Sequence, residues 1–358
     1  MAKCYICLKI TTIKKYLPYI IVLLALLGGV GYFMYEYSPT TMEQREMDFG
    51  VHNIDRVTRI DLSDVKGTKL TLTKQGKRWL VNGKYDVNDE AMVLLLIALE
   101  KVETQYIVPA NAQPNVAKDM ARQHSKCDIY LDGNDKPSKT YYVGGPTLDG
   151  KGTYMVMEIE GKPAVRPYVT HIDGVYAYLT SRYVPNEDRW RTRWIYHDNS
   201  QTIQSLKVEY QLEKQKSFII NRVAKDSFVL AGSDGSLATQ PKQKFIQQYL
   251  DFYSEISLEA FENTNPIKDS VLSGEPFCKV NLKRIDGTET NAILYYVPLN
   301  EKSMVRFDDD GRPLRYDIEH YYAVLNGGKD FVLVQYYMWG KVLRSYDEFT
   351  KKPTSQSK

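Results

Sequence analysis

Apolar and polar residues alternate along much of the chain beyond residue 54, which is the pattern of half-buried β-strands. Residues 57–62 and 69–73 alternate in this way, and Asn82-Gly83 after a third apolar segment is a strong tight-turn signal. Asn88 is placed to cap a helix that we predict from Asp89 to about Glu103. Further alternating segments follow this helix. Strands, a helix and more strands predict an α+β fold rather than a parallel βαβ sheet.

The same order returns about 150 residues later. Four segments of the first half match later segments at offsets of 146, 149, 151 and 150 residues, and they begin at Ile60, Trp79, Cys127 and Glu160. Their counterparts begin at Leu206, Phe228, Cys278 and Asp310. The core helix corresponds to residues 242–256, whose aromatic residues recur at helical spacing. We therefore predict two tandem repeats of antiparallel sheet, each with a packed core helix.

One segment near the N-terminus predicts a membrane anchor. Residues 17–35 form nineteen consecutive uncharged, mostly apolar residues, just enough for a helix to cross a hydrocarbon core at 1.5 Å per residue. Four lysines and no acid precede it, whereas four acids and a single arginine follow it closely. The positive-inside rule then places the N-terminus in the cytoplasm. A cleaved signal peptide is the alternative, but its apolar region is usually shorter and ends at small residues.

These segments predict a single-pass protein of a bacterial inner membrane whose bulk is periplasmic. The lipid bilayer is its first partner, through residues 16–37. The predicted organisation is a cytoplasmic tail (1–15), the anchor (16–37), a polar stalk (38–53), the first repeat (54–185), a linker (186–197), the second repeat (198–345) and a disordered tail (346–358).

Several motifs resemble one known family. They are Trp79-Leu80-Val81-Asn82-Gly83 before a helix, Tyr142-Val143-Gly144-Gly145-Pro146, and Gly152-Thr153-Tyr154-Met155-Val156. This pattern is similar to that of the domain of unknown function (DUF) 4340 family. Residues 191–195 resemble its Leu-Arg-Asp-Arg segment, although Thr192 replaces the aspartate. The resemblance implies an envelope accessory protein, in some members encoded beside ABC-type exporter components, and it implies no catalytic residues.

Composition and charge exclude several classes of protein. The chain has 358 residues, a net charge of +3 and only four cysteines. That charge is too small for nucleic-acid binding, and the cysteines are too few for a disulfide scaffold. Tyrosine is unusually frequent, with 28 residues against 11 phenylalanines. Tyrosine suits sheet surfaces where the ring packs and the hydroxyl reaches water.

Residues that often carry chemistry have ordinary structural explanations here. His171 and Asp173 could act as a ligand pair, but Asp173 is equally suited to cap a short helix. Residues 308–311 carry calcium-like oxygens, but the spread of ligands in a calcium loop is missing, which favours a charged turn. Cys127 and Cys278 lie at matching strand positions of the two predicted repeats and are predicted to fill the two cores. We predict no catalytic, cofactor-binding or metal-binding residue.

The most unusual segment joins the two predicted repeats. It contains Arg189, Trp190, Arg191, Arg193 and Trp194. As a strand it would place both tryptophans on one face and the arginines on the other. The tryptophans could then seal the seam between the repeats. Alternatively the segment is a partner-binding edge, since Trp and Arg are enriched at binding hot spots.

Three functional hypotheses follow. The first is a non-enzymatic scaffold or accessory subunit of an envelope complex, associated with an ABC-type transporter and bound to an envelope protein partner. The second is a periplasmic ligand-binding sensor or receptor with an aromatic cleft between the repeats. The third is an enzyme acting on envelope glycans.

Overall fold

A computed structural model describes residues 19, 21–32, 41–239, 241–301 and 303–350. The chain divides into two compact units, Met1–Arg191 and Thr192–Lys358, so the boundary lies inside the predicted linker. Residues 21–32 are helical. Among the described residues, no helix has the length and apolar character needed to span a membrane. The cytoplasmic tail and both ends of the predicted anchor lie outside the described residues, and the anchor stays a prediction.

The first unit is built on one large antiparallel sheet. Its strands run in the order β4-β3-β2-β1-β6-β7-β8-β10-β5, and β9 pairs with β8. Their bounds are β1 Val57–Asp64, β2 Lys69–Gln75, β3 Arg78–Val81, β4 Tyr85–Asp86, β5 Val102–Ile107, β6 Ser125–Leu131, β7 Lys139–Pro146, β8 Thr153–Ile159, β9 Lys162–Pro163 and β10 Tyr168–Ile172. Its helices are α1 Thr41–Met47, α2 Asp89–Lys101, α3 Gln113–Arg122 and α4 Glu187–Trp190, with 3₁₀ turns at Ile54–Arg56 and Thr180–Tyr183.

The predicted core helix is confirmed as α2. The Asn88 side chain accepts hydrogen bonds from the backbone N–H groups of Glu90 and Ala91 at 3.1 and 3.3 Å, and so satisfies two donors that have no partner within the helix. Leu95 and Leu99 are fully buried against the sheet, whereas other leucine and valine side chains of the helix remain exposed. The apolar run of α2 therefore covers one face of the sheet.

The opposite face of the same sheet is covered in part by α3. Val116 and Met120 of this helix pack against Val169 and neighbouring tyrosines. Gly144 lies directly beneath the helix, where a Cβ atom would come within 2.8 Å of the Met120 side chain. A glycine at this point of β7 lets the helix approach the strand closely.

The predicted stalk is wrong for residues 41–53, because this segment is part of the first unit. Phe49 is completely buried in its core. The Lys139 ammonium group donates hydrogen bonds to the backbone oxygens of Asp48 and Gly50 and forms a 3.1 Å ion pair with the Asp48 carboxylate. Asp48, one of the acidic residues that suggested a solvated stalk, is instead paired with a basic side chain of the sheet.

The second unit contains an antiparallel sheet of eight strands in the order β14-β13-β12-β17-β18-β19-β20-β16, and a separate pair, β11 with β15. The strands are β11 Trp194–Tyr196, β12 Ile203–Tyr210, β13 Phe218–Ala224, β14 Ser227–Gly232, β15 Ile256–Ser257, β16 Ala260–Phe261, β17 Cys278–Arg284, β18 Glu289–Pro298, β19 Tyr316–Leu325 and β20 Asp330–Gln335. The helices are α5 Gln243–Asp251, α6 Lys268–Leu272, α7 Tyr336–Trp339 and α8 Tyr346–Thr350, with 3₁₀ turns at Lys214–Lys216, Phe252–Glu255 and Asn326–Gly328.

Apart from the two-residue strands β4 and β9 of the first unit, the two large sheets have the same strand order. In each, a three-strand meander is followed by a core helix, and a short strand after that helix joins the far edge of the sheet. In each, the register shifts at one bulge of the first strand, after Val57 in β1 and after Ile203 in β12. Ile60 and Leu206, both fully buried, therefore occupy the same position.

The strand register also shows whether individual residues that were matched in the sequence occupy equivalent positions. Trp79 lies opposite Lys74, and Phe228 lies opposite Arg222. Ile60 and Leu206 are equivalent, and each aromatic residue lies two strands and two residues away from its reference residue. Trp79 and Phe228 therefore take the same position, as predicted.

The predicted match between the two cysteines is wrong by two residues. Cys127 lies opposite Leu62 of β1, whereas Cys278 lies opposite Tyr210 of β12, one inward-facing position farther along. The true counterpart of Cys127 is Val280. The strands do correspond, but the loops between them differ in length, so a constant sequence offset fails at this point.

The two charged turns do not correspond either. The turn at residues 160–161 follows β8, whereas residues 308–311 precede β19, the counterpart of β8. The equivalent turn is at residues 326–327. Glu160 and Asn326 both adopt left-handed conformations, with φ of 53° and 52°.

The predicted disordered tail begins too early. Residues Tyr346–Thr350 form α8, and Phe349 is buried in the core of the second unit. Its ring packs against Phe218 and Tyr249 at centroid distances of 5.0 and 5.1 Å. Residues 351–358 lie outside the described residues.

Candidate functional site

The arginine–tryptophan segment is not a single strand. Residues Glu187–Trp190 form α4 in the first unit, and Trp194 begins β11 in the second. Trp190 is 1% exposed in the core of the first unit, where its indole N–H donates a 2.8 Å hydrogen bond to the backbone oxygen of Val184. Trp194 is 45% exposed and packs on the His197 ring. The common face predicted for the two tryptophans is therefore absent.

The three arginines of this segment also have different environments. Arg191 is buried, and its guanidinium carbon lies 3.7 Å above the centroid of the Tyr85 ring, a cation–π contact. It also forms an ion pair with the Asp188 carboxylate at 3.8 Å. Arg189 and Arg193 are exposed. Arg191 thus helps to build the first unit, and two arginines remain accessible to a partner.

The two core cysteines are free thiols that fill space. Both are completely buried. Burial raises the pKa of the Cys127 thiol well above its usual value and the pKa of the Cys278 thiol to about 12. Both are therefore protonated at neutral pH, and a protonated thiol is a poor nucleophile.

The charged turn at residues 308–311 is organised by its own backbone. The Asp308 side chain accepts hydrogen bonds from the backbone N–H groups of Asp310 and Arg312 at 3.0 and 2.8 Å. Among the described residues, no group of three or more His, Cys, Asp or Glu side chains is placed to hold a metal ion. Asp308 thus acts as a turn residue.

A cleft of about 970 Å³ lies within the second unit. It opens where β18 and β19 meet and where the chain turns from β20 into α7. We call it the tyrosine cleft, because five tyrosines line it together with shorter apolar side chains and a few polar groups. The tyrosines are Tyr296, Tyr316, Tyr321, Tyr336 and Tyr337.

Two of the cleft tyrosines belong to a stack of three aromatic rings. Tyr296 stacks on Phe277 with a centroid distance of 4.3 Å and on Tyr316 with a distance of 4.8 Å. Tyr321 packs against Phe277 at 4.8 Å and meets the edge of Tyr336 at 6.1 Å. These contacts fix the rings before any ligand arrives, which lowers the entropy lost on binding.

The hydroxyl groups of the five cleft tyrosines have no hydrogen-bond partner within the part of the chain that the structure describes. Burial raises the pKa of Tyr296 and of Tyr321, so these hydroxyls are protonated at neutral pH. A tyrosine hydroxyl can both donate and accept a hydrogen bond. The cleft therefore presents apolar ring surfaces together with hydroxyl groups that can form hydrogen bonds with a ligand.

The charged groups of the cleft are few and of both signs. Apart from the tyrosines, its ionisable lining residues are Arg315, Asp317, Glu319 and His320. Burial disfavours ionisation of Asp317, but hydrogen bonds, among them one from the backbone N–H of Glu319 at 2.8 Å, lower its pKa below the usual value. Asp317 also lies 3.2 Å from Nδ1 of His320. Asp317 is therefore engaged with its own strand.

The first unit differs from the second at the corresponding end of its sheet. The position of Tyr210 in β12 is taken by Asp64 in β1. Val143 and Leu294 are equivalent, and two residues beyond them the chain has Gly145 and Tyr296, respectively. The aromatic cleft is thus a property of the second unit, although the two sheets share one topology.

The sequence contained one signal for this site. Tyrosines occur in the pairs 295–296, 321–322 and 336–337. In a strand, the two members of such a pair point to opposite faces, so the pairs in β18 and β19 each place one ring, Tyr296 and Tyr321, toward the cleft, whereas the third pair lies in α7. The alternative hypothesis of a ligand-binding receptor placed an aromatic cleft between the repeats, whereas the tyrosine cleft lies inside the second unit.

Comparisons of the chain with models of known protein families, with curated proteins and with solved structures find no match. The resemblance to the DUF4340 family therefore stays a prediction.

Proposed function

We propose that this chain is a non-enzymatic binding protein, an accessory component of a bacterial envelope complex, that holds its ligand in the tyrosine cleft. One observation carries the proposal. Five tyrosines converge on a preformed cleft of about 970 Å³, and their hydroxyls have no partner among the described residues. Ligand sites are typically concave and mostly apolar, with a small number of polar groups that orient the ligand.

The proposed location follows from the sequence. The uncharged segment 17–35 and its lysine-rich N-terminal flank support a single-pass anchor with the remainder in the periplasm. Only eight residues, 33–40, separate the helical residues 21–32 from α1. Eight residues span at most about 29 Å, so an anchored first unit would stay close to the membrane surface. The proposed association with an ABC-type exporter rests on the family resemblance alone.

The proposed history is a duplication of one module followed by specialisation of the second copy. The common strand order, the bulge in the first strand and the matched left-handed turns support the duplication. The aromatic residues at one end of the second sheet support specialisation. A ligand-binding role fits such a pair, because one copy can provide structure while the other acquires a site.

A photo-cross-linking experiment tests this function in cells. A photoreactive amino acid is introduced in place of Tyr337, which is 74% exposed in the cleft, and separately in place of Tyr176, which is 85% exposed in the first unit. We expect a cross-linked adduct from position 337 and none from position 176. Identical results at both positions, with or without adducts, would contradict a binding role for the cleft.

A further inference from the structure

We propose that the tyrosine cleft binds an uncharged saccharide. This inference deepens the proposed function and rests on it. A sugar ring has apolar C–H faces and a rim of hydroxyl groups, so it needs flat apolar walls and hydrogen-bonding groups in the same site. Tyr336 and Tyr337 provide exposed ring surfaces at the mouth of the cleft, and the stacked Tyr296 and Tyr316 form its wall.

The hydrogen-bonding groups of the cleft match a ligand that both donates and accepts. The tyrosine hydroxyls and the Gln335 amide can do both, the Arg315 guanidinium donates, and the Glu319 carboxylate accepts. Gln335 and Glu319 have no side-chain hydrogen bond or ion pair with any described residue. Each sugar hydroxyl is both a donor and an acceptor, so a saccharide can satisfy all of these groups.

Other classes of ligand would satisfy fewer of the hydrogen-bonding groups of the cleft. A proline-rich segment offers carbonyl acceptors but few donors, which would leave the Glu319 carboxylate unmatched, and an unmatched polar group that becomes buried is costly. A lipid chain would leave every polar group unmatched. An anion would meet two carboxylates, Asp317 and Glu319, against the single guanidinium of Arg315. The charges of the cleft therefore argue against an anionic ligand.

Direct binding measurements test the proposal with the full chain in lipid nanodiscs, because detergents with sugar head groups would compete for the site. The probes are dextran, mannan, xylan and a β-1,3-glucan, with a decaproline peptide as the competing class. Biolayer interferometry on the immobilised protein gives the dissociation constant for each probe. We expect at least one polysaccharide to bind and the peptide not to bind.

Three variants assign this binding to the cleft. Tyr336→Phe removes one hydroxyl and keeps the ring, so we expect a three- to tenfold weaker affinity, the range of one lost hydrogen bond. Tyr337→Ala removes an exposed ring and Glu319→Gln removes the carboxylate charge, and we expect each to weaken binding at least threefold. Tyr176→Ala, on the surface of the first unit, is the matched control and should bind as the unchanged protein does.

Several outcomes would overturn the saccharide proposal. They are failure of all four polysaccharides to bind, binding that the three cleft variants leave unchanged, or tighter binding of decaproline than of any sugar. The proposed binding function could survive these results. An adduct formed from position 337 but not from position 176 would still support a ligand of another class in the same cleft.

Discussion

The hydroxyl of Tyr168 donates a 2.9 Å hydrogen bond to Oε2 of Glu46, and so joins β10 to α1. Arg166 reinforces the joint through an ion pair with the same carboxylate at 3.1 Å and another with Glu43 at 2.5 Å. The predicted stalk is thus bound to the sheet by its own acids. If residues 17–35 are anchored, any force on the anchor would reach the first unit through α1.

Phe49→Ala should therefore destabilise the first unit. The Phe49 ring is fully buried and contacts Tyr141 and Tyr168 edge-on at 5.8 and 6.2 Å. Truncation of a buried Phe typically costs about 3–5 kcal/mol. Chemical unfolding of the purified full chain measures the loss. Met42→Ala, at a position of α1 that is 50% exposed, is the control and should change stability by less than about 0.5 kcal/mol. Equal effects of the two substitutions would restore the stalk interpretation.

The topology of the chain can be tested without reference to the fold. Because lysines precede the segment 17–35 and acids follow it, alkaline phosphatase fused after Gln44 should be exported and active. The full-length protein should stay with the membranes after a carbonate wash. A fusion after Lys15 should be inactive and serves as the control. An inactive fusion at Gln44 would reverse the orientation, and release by carbonate would show that the segment does not anchor the chain.

Cys127 and Cys278 should resist thiol reagents in the folded protein. Both are buried and have raised pKa values, so neither accessible sulfur nor thiolate is available at neutral pH. With Cys4 and Cys7 changed to Ser, the full chain should react with a maleimide only after denaturant is added. Rapid labelling of the native protein would contradict the buried positions of both strands.

The same thiols predict how stability depends on pH. Their folded pKa values lie above the unfolded value of about 8.5, so the folded state binds protons more tightly than the unfolded state. Their contribution is fully present below pH 8.5 and is lost as pH rises toward 12. Each thiol should lower the unfolding free energy by about 1.4 kcal/mol per pH unit in that range. Buried tyrosines also make the unfolding free energy fall as pH rises. The effect of Cys278 is therefore measured as the difference between the unchanged chain and Cys278→Ala in the slope of unfolding free energy against pH. Equal slopes would mean that Cys278 is exposed.

Local patterns predicted most of the fold. Alternation of apolar and polar residues identified the main strands, and the Asn88 cap identified the start of α2, because both signals act within a few residues. The match between the cysteines failed because a constant sequence offset requires corresponding loops of the two repeats to have equal lengths. Two inward-facing cysteines in otherwise similar strands look equivalent in sequence, and only the cross-strand register separates them.

The segments at the ends of the two repeats were harder to predict. Residues 41–53 are polar, and their burial depends on Lys139 and Arg166, which follow about 90 and 120 residues later. The tail contains a single buried aromatic residue, Phe349, among charged neighbours. The tyrosine cleft combines residues from β18, β19 and α7, and strand periodicity does not indicate which end of a sheet a helix leaves uncovered.

Trp190 and Trp194 give the sharpest contrast within one short segment. Trp190 is 1% exposed in the core of the first unit and donates its indole hydrogen bond to Val184, whereas Trp194 is 45% exposed on the second unit. Trp190→Ala should cost about 3–5 kcal/mol, as truncation of a buried Trp does. Trp194→Ala should cost less than half as much, because the ring already contacts water. Thermal unfolding of the full chain, with Trp79→Ala as a half-buried reference, measures both effects.

The result decides what the arginine–tryptophan segment does. Should Trp190→Ala leave the melting temperature unchanged, its burial in the first unit would be wrong and the segment would become a candidate binding edge again. Should Trp194→Ala prove as damaging as Trp190→Ala, the exposed position of its ring would be wrong instead. Arg193→Ala, next to Trp194 and exposed, completes the series. It should leave the melting temperature within about one degree of the unchanged chain, since an exposed substitution changes stability little, so any loss of partner recovery in that variant would report on binding alone.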